Sequence, residues 1–190
     1  MKQLKKFMAL GLGLTTALLV SQGALAQDVA AKRAELRKMC DAALADLYKA
    51  KPEAKAEVGK AAGYGCFTSF GISFFVGGAG GRGLVHDNAT KKTTFMNMGQ
   101  ATGGLDFGVK DYREVLVFKD KATLAKFIDK GWEFGGGGGA QAVAGGQGAK
   151  AEATEISSGP IAVYPMTKNG LAIGVAAGAR KYWKDDDLNK

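Results

Sequence analysis

A glycine-rich stretch that follows an aromatic run constrains the fold of this chain more than any other segment. Residues 67–76 are rich in phenylalanine, isoleucine, valine and threonine, which favour a pleated, half-buried strand. Residues 77–83 are all glycine except Ala79 and Arg82. Glycines in or after a strand mark bulges, bends or close approaches of the backbone. We therefore predict a bend between two antiparallel strands.

The same cluster contains a formal match to the dinucleotide-binding fingerprint, at residues 78–83. That fingerprint requires a helix that begins within it, because the helix N-terminus meets the pyrophosphate. Residues 84–90 instead run into turn formers, and residues 92–96 resemble another strand. In a chain with 29 glycines, chance matches are expected. The bend is therefore favoured over a nucleotide site.

The first 26 residues have the features of a secretory signal peptide. A basic start is followed by an apolar centre and by Ala24-Leu25-Ala26, which resembles a cleavage site. Cleavage after Ala26 leaves Gln27 first, where a bacterial lipoprotein requires cysteine. We therefore expect a soluble, exported protein, located in the periplasm.

The charge of the chain is moderately basic. The formal net charge is +8, and loss of the three signal lysines leaves 23 basic and 18 acidic residues, an excess of +5. Such an excess favours contact with anionic surfaces such as lipid headgroups, although a solvated basic surface has the same composition. Nucleic acid is not an expected partner, because the chain is exported and has no dense basic stripe.

The chain has two cysteines, Cys40 and Cys66. Export makes a disulfide between them chemically feasible, and such a bond would stabilise the fold by roughly 3 kcal/mol. Both positions also suit small core residues. The sequence leaves these two interpretations open.

The mature chain, residues 27–190, is expected to form a single domain. Helices are predicted within residues 28–62, where apolar residues recur at three- and four-residue steps. A glycine-rich antiparallel β region is predicted over residues 63–178, with a short tail at residues 179–190. Within the β region, Asp120 resembles a helix N-cap and Gly131 a C-terminal stop.

Several strands of the β region are predicted individually. Residues 67–76, 83–86 and 93–98 form a meander whose second turn is at Asp87 and Asn88. Residues 161–167 begin a hairpin that turns at Asn169-Gly170, a strong signal for a tight turn. The fold class is therefore α+β, with a strongly curved antiparallel β-sheet, half-barrel or barrel-like, closed by an N-terminal and one internal α-helix.

No catalytic or metal-binding pattern is found in the sequence. His86 is the single histidine, and it has no cysteine or histidine neighbour that would suggest a zinc site. A calcium loop at residues 185–187 would lack its glycine and its last glutamate, so a solvated acidic tail is favoured. We expect no enzymatic activity, no cofactor and no metal.

Three segments of the chain together resemble the SYLF domain family, which is known for lipid binding. They are the aromatic and glycine-rich residues 71–85, the strand and helix of residues 103–127, and residues 164–178 with their Tyr164, Asn169-Gly170-Leu171 and later glycines. The resemblance implies a curved antiparallel sheet closed by helices, without catalysis. It also implies binding of phosphoinositides or other acidic lipids. Actin binding, associated with some eukaryotic members, is not carried over to an exported chain.

These observations predict a lipid-binding or membrane-surface protein of the periplasm that contacts anionic headgroups. Cationic side chains would meet the headgroups and aromatic ones would reach the interface. The candidate residues combine these two properties: Arg82, Lys91, Lys92, Arg180, Lys181, Tyr182 and Trp183. The alternative is a structural or protein-interaction module of the envelope that has no lipid ligand and recruits an envelope protein.

Overall fold

The computed structural model describes residues 12–74, 78–101, 113–134, 156–167, 170–171 and 179–190. The chain divides into two compact units, Met1–Glu35 and Leu36–Lys190. The described part of the first unit is helical, and an exposed ion pair joins Lys32 to Asp28 at 2.7 Å. None of the described helices combines the length and the apolar character needed to cross a membrane.

The described residues form three helices and nine strands. The helices are α1 (Leu12–Ala50), α2 (Ala54–Lys60) and α3 (Lys121–Lys130). The strands are β1 (Gly63–Phe74), β2 (Gly78–Asp87), β3 (Thr93–Ala101), β4 (Arg113–Phe118), β5 (Trp132–Phe134), β6 (Ile156–Ser158), β7 (Ile161–Thr167), β8 (Gly170–Leu171) and β9 (Ala179–Lys184).

All nine strands belong to one antiparallel sheet. The order is β5-β9-β3-β2-β1-β4-β7-β6, and β8 pairs with β7. Strands β1, β2 and β3 are consecutive neighbours, as the meander predicts, whereas β9 pairs with β3 and β5 from far along the chain. The predicted α+β class with an antiparallel sheet is confirmed.

The sheet is strongly curved. Strands β4 and β9 are four places apart, which corresponds to about 19 Å across a flat sheet. Nevertheless, Arg180 Nη1 on β9 donates a hydrogen bond of 2.8 Å to Glu114 Oε2 on β4. These two strands therefore face each other across the concave side of a half-barrel.

Helix α3 fills this concave side. The Phe127 ring lies against Phe118 of β4 and Tyr182 of β9, with ring centroids 4.8 and 5.1 Å apart. Asp120 caps the helix by accepting a 2.8 Å hydrogen bond from the Thr123 backbone N–H. Gly131 ends the helix at φ 74°, a conformation that favours glycine. The predicted cap and stop are both confirmed.

Helix α1 covers the opposite, convex face of the sheet from Leu36 onward. A disulfide joins Cys40 of α1 to Cys66 of β1, and both cysteines are buried. Arg37 lies over the Phe95 ring of β3, and Arg113 of β4 pairs with Asp46 at 2.9 Å. One covalent bond and two polar contacts therefore attach this helix to three different strands.

Three sequence predictions are corrected by the structure. Strand β2 begins at Gly78 rather than at residue 83, so residues 78–83 of the glycine cluster lie within the strand. The predicted tail begins instead with β9, which pairs with β3 on one side and β5 on the other. Asp185 is buried rather than solvated, since its Oδ1 accepts hydrogen bonds from the backbone N–H groups of Asp187 and Leu188.

Three further local predictions concern the fingerprint match at residues 78–83, the turn after β2 and the hairpin turn at Asn169. The strand at residues 78–83 is antiparallel to both of its neighbours, so the fingerprint match does not begin a helix there. The turn after β2 is confirmed, because Asp87 Oδ1 accepts hydrogen bonds from the backbone N–H groups of Ala89 and Thr90. The predicted hairpin turn at Asn169 lies outside the described residues.

Candidate functional site

Four segments meet at one end of the sheet, and three of them carry exposed lysines. The Asn88 backbone N–H donates to the Ala62 carbonyl at 3.0 Å, and the Ala62 N–H donates to the Phe118 carbonyl at 2.9 Å. The Lys119 N–H in turn donates to the Pro160 carbonyl at 2.9 Å. These bonds connect the end of α2, the β2–β3 turn, the β4–α3 junction and the β6–β7 turn.

The lysines of these segments, called here the lysine end, are Lys60, Lys91, Lys92, Lys119 and Lys121, and all five are exposed. Residues 60–62, 87–92, 118–121 and 159–160 contain only two carboxylates, Asp87 and Asp120. Lysines therefore exceed carboxylates by three at this end.

Both carboxylates are occupied by local hydrogen bonds. The Thr90 backbone N–H is the main cause that lowers the pKa of Asp87, and the charge of Lys121 also contributes. The Thr123 backbone N–H likewise lowers the pKa of Asp120. Because these carboxylates already serve as turn and helix caps, the lysine end presents mainly donors and positive charge.

A second surface surrounds Trp183 on the convex side of the sheet. Arg82 pairs with Asn97, and Asn97 pairs with Trp183, so these three residues share one face. In the next row, Gly80 pairs with Gly99 and Gly99 with Lys181. We call Arg82, Asn97, Gly99, Lys181 and Trp183 the Trp183 face. Arg82 lies five residues before the end of β2, about 17 Å along the strand from the lysine end.

The cations of the Trp183 face have carboxylate neighbours. Lys181 Nζ lies 2.8 Å from Glu133 Oε1, and both side chains are exposed. Arg82 Nε lies 3.9 Å from Asp185 Oδ2. Unlike the lysine end, this surface carries little net charge.

Arg180 and Tyr182 lie in the interior rather than at the surface. Arg180 is 5% exposed and Tyr182 is fully buried, because alternate residues of β9 point to opposite sides of the sheet. Arg180 pairs with Glu114 at 2.8 Å, and the Tyr182 hydroxyl donates to the other oxygen of the same carboxylate. The expectation that these two side chains face lipid headgroups is therefore revised, since their polar groups are directed at Glu114.

The structure thus divides the seven predicted site residues into three groups. Lys91 and Lys92 belong to the lysine end, whereas Arg82, Lys181 and Trp183 belong to the Trp183 face. The third group, Arg180 and Tyr182, lies in the interior. No sequence motif predicts Lys60, Lys119 and Lys121 as site residues, because they come from segments that meet only in the folded chain. The Lys-Asp-Lys sequence at residues 119–121 was the one local signal.

The single histidine lies near the lysine end. Its Nδ1 lies 3.2 Å from Thr93 Oγ1, and its ring centroid is 5.2 Å from that of Tyr64. Burial lowers the pKa of His86, and the nearby Lys91 charge lowers it further, against a smaller opposing effect of Asp87. Among the described residues, no group of three histidine, cysteine, aspartate or glutamate side chains could hold a metal ion.

Comparison with known proteins identifies relatives of this chain. Residues 99–190 match the Ysc84 family model, described as Las17-binding protein actin regulator. The chain is also 34% identical, over 158 residues, to beta cell expansion factor A of Aeromonas veronii. That match covers 83% of this chain and 59% of the relative, so the chain spans less than two thirds of the relative's length.

Proposed function

The chain belongs to the SYLF (Ysc84) family, and on that premise we propose that it is a non-enzymatic protein of the periplasm that binds anionic membrane surfaces. The observation that carries this proposal is the lysine end. Five exposed lysines from three of the four hydrogen-bonded segments lie beside two carboxylates that already accept backbone hydrogen bonds.

The physical basis is electrostatic attraction to lipid headgroups. A basic residue near an anionic membrane surface contributes about 1 kcal/mol, and this attraction decays within a Debye length. An excess of three charges therefore supports measurable binding at low salt and weak binding at high salt. The lysine end is formed by main-chain hydrogen bonds, so the positions of its lysine backbones are fixed before a membrane is met.

Vesicle flotation tests this proposal directly. The mature chain, residues 27–190, is mixed with vesicles of phosphatidylcholine alone or of phosphatidylcholine with phosphatidylglycerol. We expect flotation with the phosphatidylglycerol vesicles and its loss as salt is added. The proposal is wrong if both kinds of vesicle carry the same amount of protein at low salt.

Matched variants locate the contact. Replacing Lys91, Lys92 and Lys121 by glutamine removes three charges from the lysine end and should weaken flotation at least about tenfold. The control replaces the exposed helix residues Lys38, Lys49 and Lys55 by glutamine, which removes the same charge elsewhere. Equal losses in the two variants would indicate a response to net charge and would remove the lysine end from the proposal.

Export is tested separately in cells that produce the full chain. The signal sequence predicts that the protein appears in the osmotic-shock fraction and that its first residue is Gln27. Recovery of the uncleaved chain inside spheroplasts would contradict the periplasmic part of the proposal. It would leave the vesicle experiments unaffected, because those use purified protein.

A protein-interaction module is the second candidate, and the family description itself favours it by naming a protein, Las17. On this alternative, the exported chain recruits an envelope protein and needs no lipid. Capture of one specific envelope protein from lipid-free extract, together with no flotation on anionic vesicles, would favour this candidate. Actin is not part of either proposal.

A further inference from the structure

Trp183 forms a flat aromatic platform on the convex face of the sheet. It is 43% exposed and is the only large hydrophobic side chain that is exposed among the described residues. A Cβ built at Gly99 would lie 3.3 Å from Trp183 Cζ3 and 3.4 Å from Cη2. The six-membered part of the indole therefore rests above Gly99, at a level that a side chain on this residue would occupy.

The area beside the indole is open. Gly80, the cross-strand partner of Gly99, has no atom within 4 Å of the position where its Cβ would be. Two adjacent strands therefore have no side chains at this level of the convex face. A flat ring that approaches the indole over Gly80 and Gly99 therefore meets no side chain of these two residues.

Hydrogen-bonding groups of both kinds surround the platform. Arg82 and Asn97 lie in the same row as Trp183, and Lys181 follows Gly99 in the next row, with Glu133 beyond it. Arginine and lysine donate, glutamate accepts, and asparagine does both. The ion pairs with Glu133 and Asp185 balance the two positive charges, so the surface is polar with little net charge.

We infer that the Trp183 face is a binding site for a neutral saccharide ring. The C–H face of a sugar is apolar and suits the face of an indole, while its hydroxyl rim both donates and accepts hydrogen bonds. The ion pair of Lys181 with Glu133 is exposed and therefore worth little in water, so hydroxyl groups can replace its contacts easily. A phosphate would instead require net positive charge, which is found at the lysine end.

This inference goes beyond the proposed function and uses different residues. Membrane binding depends on the lysine end, which is about 17 Å along β2 from Arg82. A failure of the protein to bind vesicles would therefore count against the proposed function and would not count against the saccharide site. The saccharide site is tested separately by the NMR experiment below.

The two tryptophans of the chain provide an internal control. In ¹⁵N-labelled protein, each indole N–H gives its own NMR signal. We expect maltotetraose or chitotetraose to shift the Trp183 signal in a saturable way, with weak affinity because the site is flat. The Trp132 signal should stay in place, because that ring packs against Phe127 and Phe134. Glycerol 3-phosphate is the anionic comparison.

Two variants separate the platform from the fold. Trp183→Ala lacks the indole signal, so the backbone N–H signal of Gly99 reports saccharide binding in this variant and in the wild type. Binding should weaken at least about tenfold while the Trp132 signal keeps its position. Gly99→Val keeps the indole but displaces it, and should weaken binding about threefold or more. The matched control is Gly59→Val on α2, where a Cβ has open space.

The outcomes decide the inference in either direction. A saturable shift of the Trp183 signal that Gly99→Val weakens and Gly59→Val leaves unchanged supports it. The inference is overturned if neither oligosaccharide moves the Trp183 signal, if both tryptophan signals move together, or if only glycerol 3-phosphate moves it.

Discussion

Glu114 and Arg180 form a buried ion pair that spans the concave side of the half-barrel, between strands four places apart in the sheet. Glu114 is fully buried, and its second oxygen accepts a hydrogen bond from the Tyr182 hydroxyl. The pair is therefore a direct polar connection between β4 and β9. It acts across the sheet interior rather than along the hydrogen-bonded ladder.

Breaking this pair on one side should destabilise the protein strongly. Arg180→Met leaves the Glu114 carboxylate charged in an apolar interior, and we expect the free energy of unfolding to fall by about 3–5 kcal/mol. Urea denaturation measures the change. The double variant Glu114→Gln with Arg180→Met removes both charges and should recover part of the loss. Strictly additive effects of the two single substitutions would show that the residues are not coupled.

The disulfide between Cys40 and Cys66 should contribute measurably to stability. It closes a loop with a sequence separation of 26, for which loop-closure entropy predicts about 3–4 kcal/mol. We expect reductant to lower the urea midpoint of the wild-type chain by a corresponding amount. The double variant Cys40→Ala, Cys66→Ala should begin at the lower midpoint and show no response to reductant. An unchanged midpoint, with mass spectrometry showing both thiols reduced, would contradict this prediction.

Two glycines of β2 should differ in their response to the same substitution. A Cβ at Gly83 would collide with the Cys66 carbonyl oxygen and lie 2.7 Å from Phe67 Cγ, whereas a Cβ at Gly80 meets nothing within 4 Å. Gly83→Ala should therefore reduce the free energy of unfolding by at least about 1–3 kcal/mol. Gly80→Ala should be close to neutral or stabilising. Similar urea midpoints for the two variants would contradict this prediction, because they would show that the Phe67 ring packs equally well when residue 83 carries a Cβ.

His86 should make stability depend on pH near neutrality. Burial and the Lys91 charge lower its pKa below the ordinary value of 6.5, so the unfolded chain binds the proton more readily than the folded one. The stabilisation is complete above pH 6.5 and is lost as pH falls through the lower pKa of the folded state. We expect a lower urea midpoint at pH 5.5 than at pH 7.5. His86→Gln should reduce that difference, and an identical pH response in the variant would assign it to other groups.

The parts of the fold that depend on neighbouring residues could be predicted from the sequence. Asp120 and Gly131 define the ends of α3 through hydrogen bonds and backbone geometry within a few residues. The turn at Asp87 depends on its own next three residues. The antiparallel sheet followed from the strand-forming residues, whereas residues 78–83 of the glycine cluster, predicted as a bend, belong to β2.

The last strand could not be predicted in this way. Residues 179–184 contain three basic residues, a composition that resembles a solvated tail. The contacts that make them a strand come from Met98 and Trp132, and the partner of Arg180 is Glu114, 66 residues earlier. A buried arginine with a distant partner looks the same in sequence as an exposed one, so nothing in the sequence indicates that Arg180 and Tyr182 are buried.

Strand β9 also determines how the chain tolerates insertions. A single residue added before Arg180 would reverse the two sides of the strand, sending Lys181 and Trp183 inward and leaving Glu114 opposite groups that do not match its charge or shape. Insertions and deletions between relatives should therefore be concentrated outside this strand. Substitutions at the outward residues Lys181 and Trp183, in contrast, could change what the convex face binds while the interior remains intact.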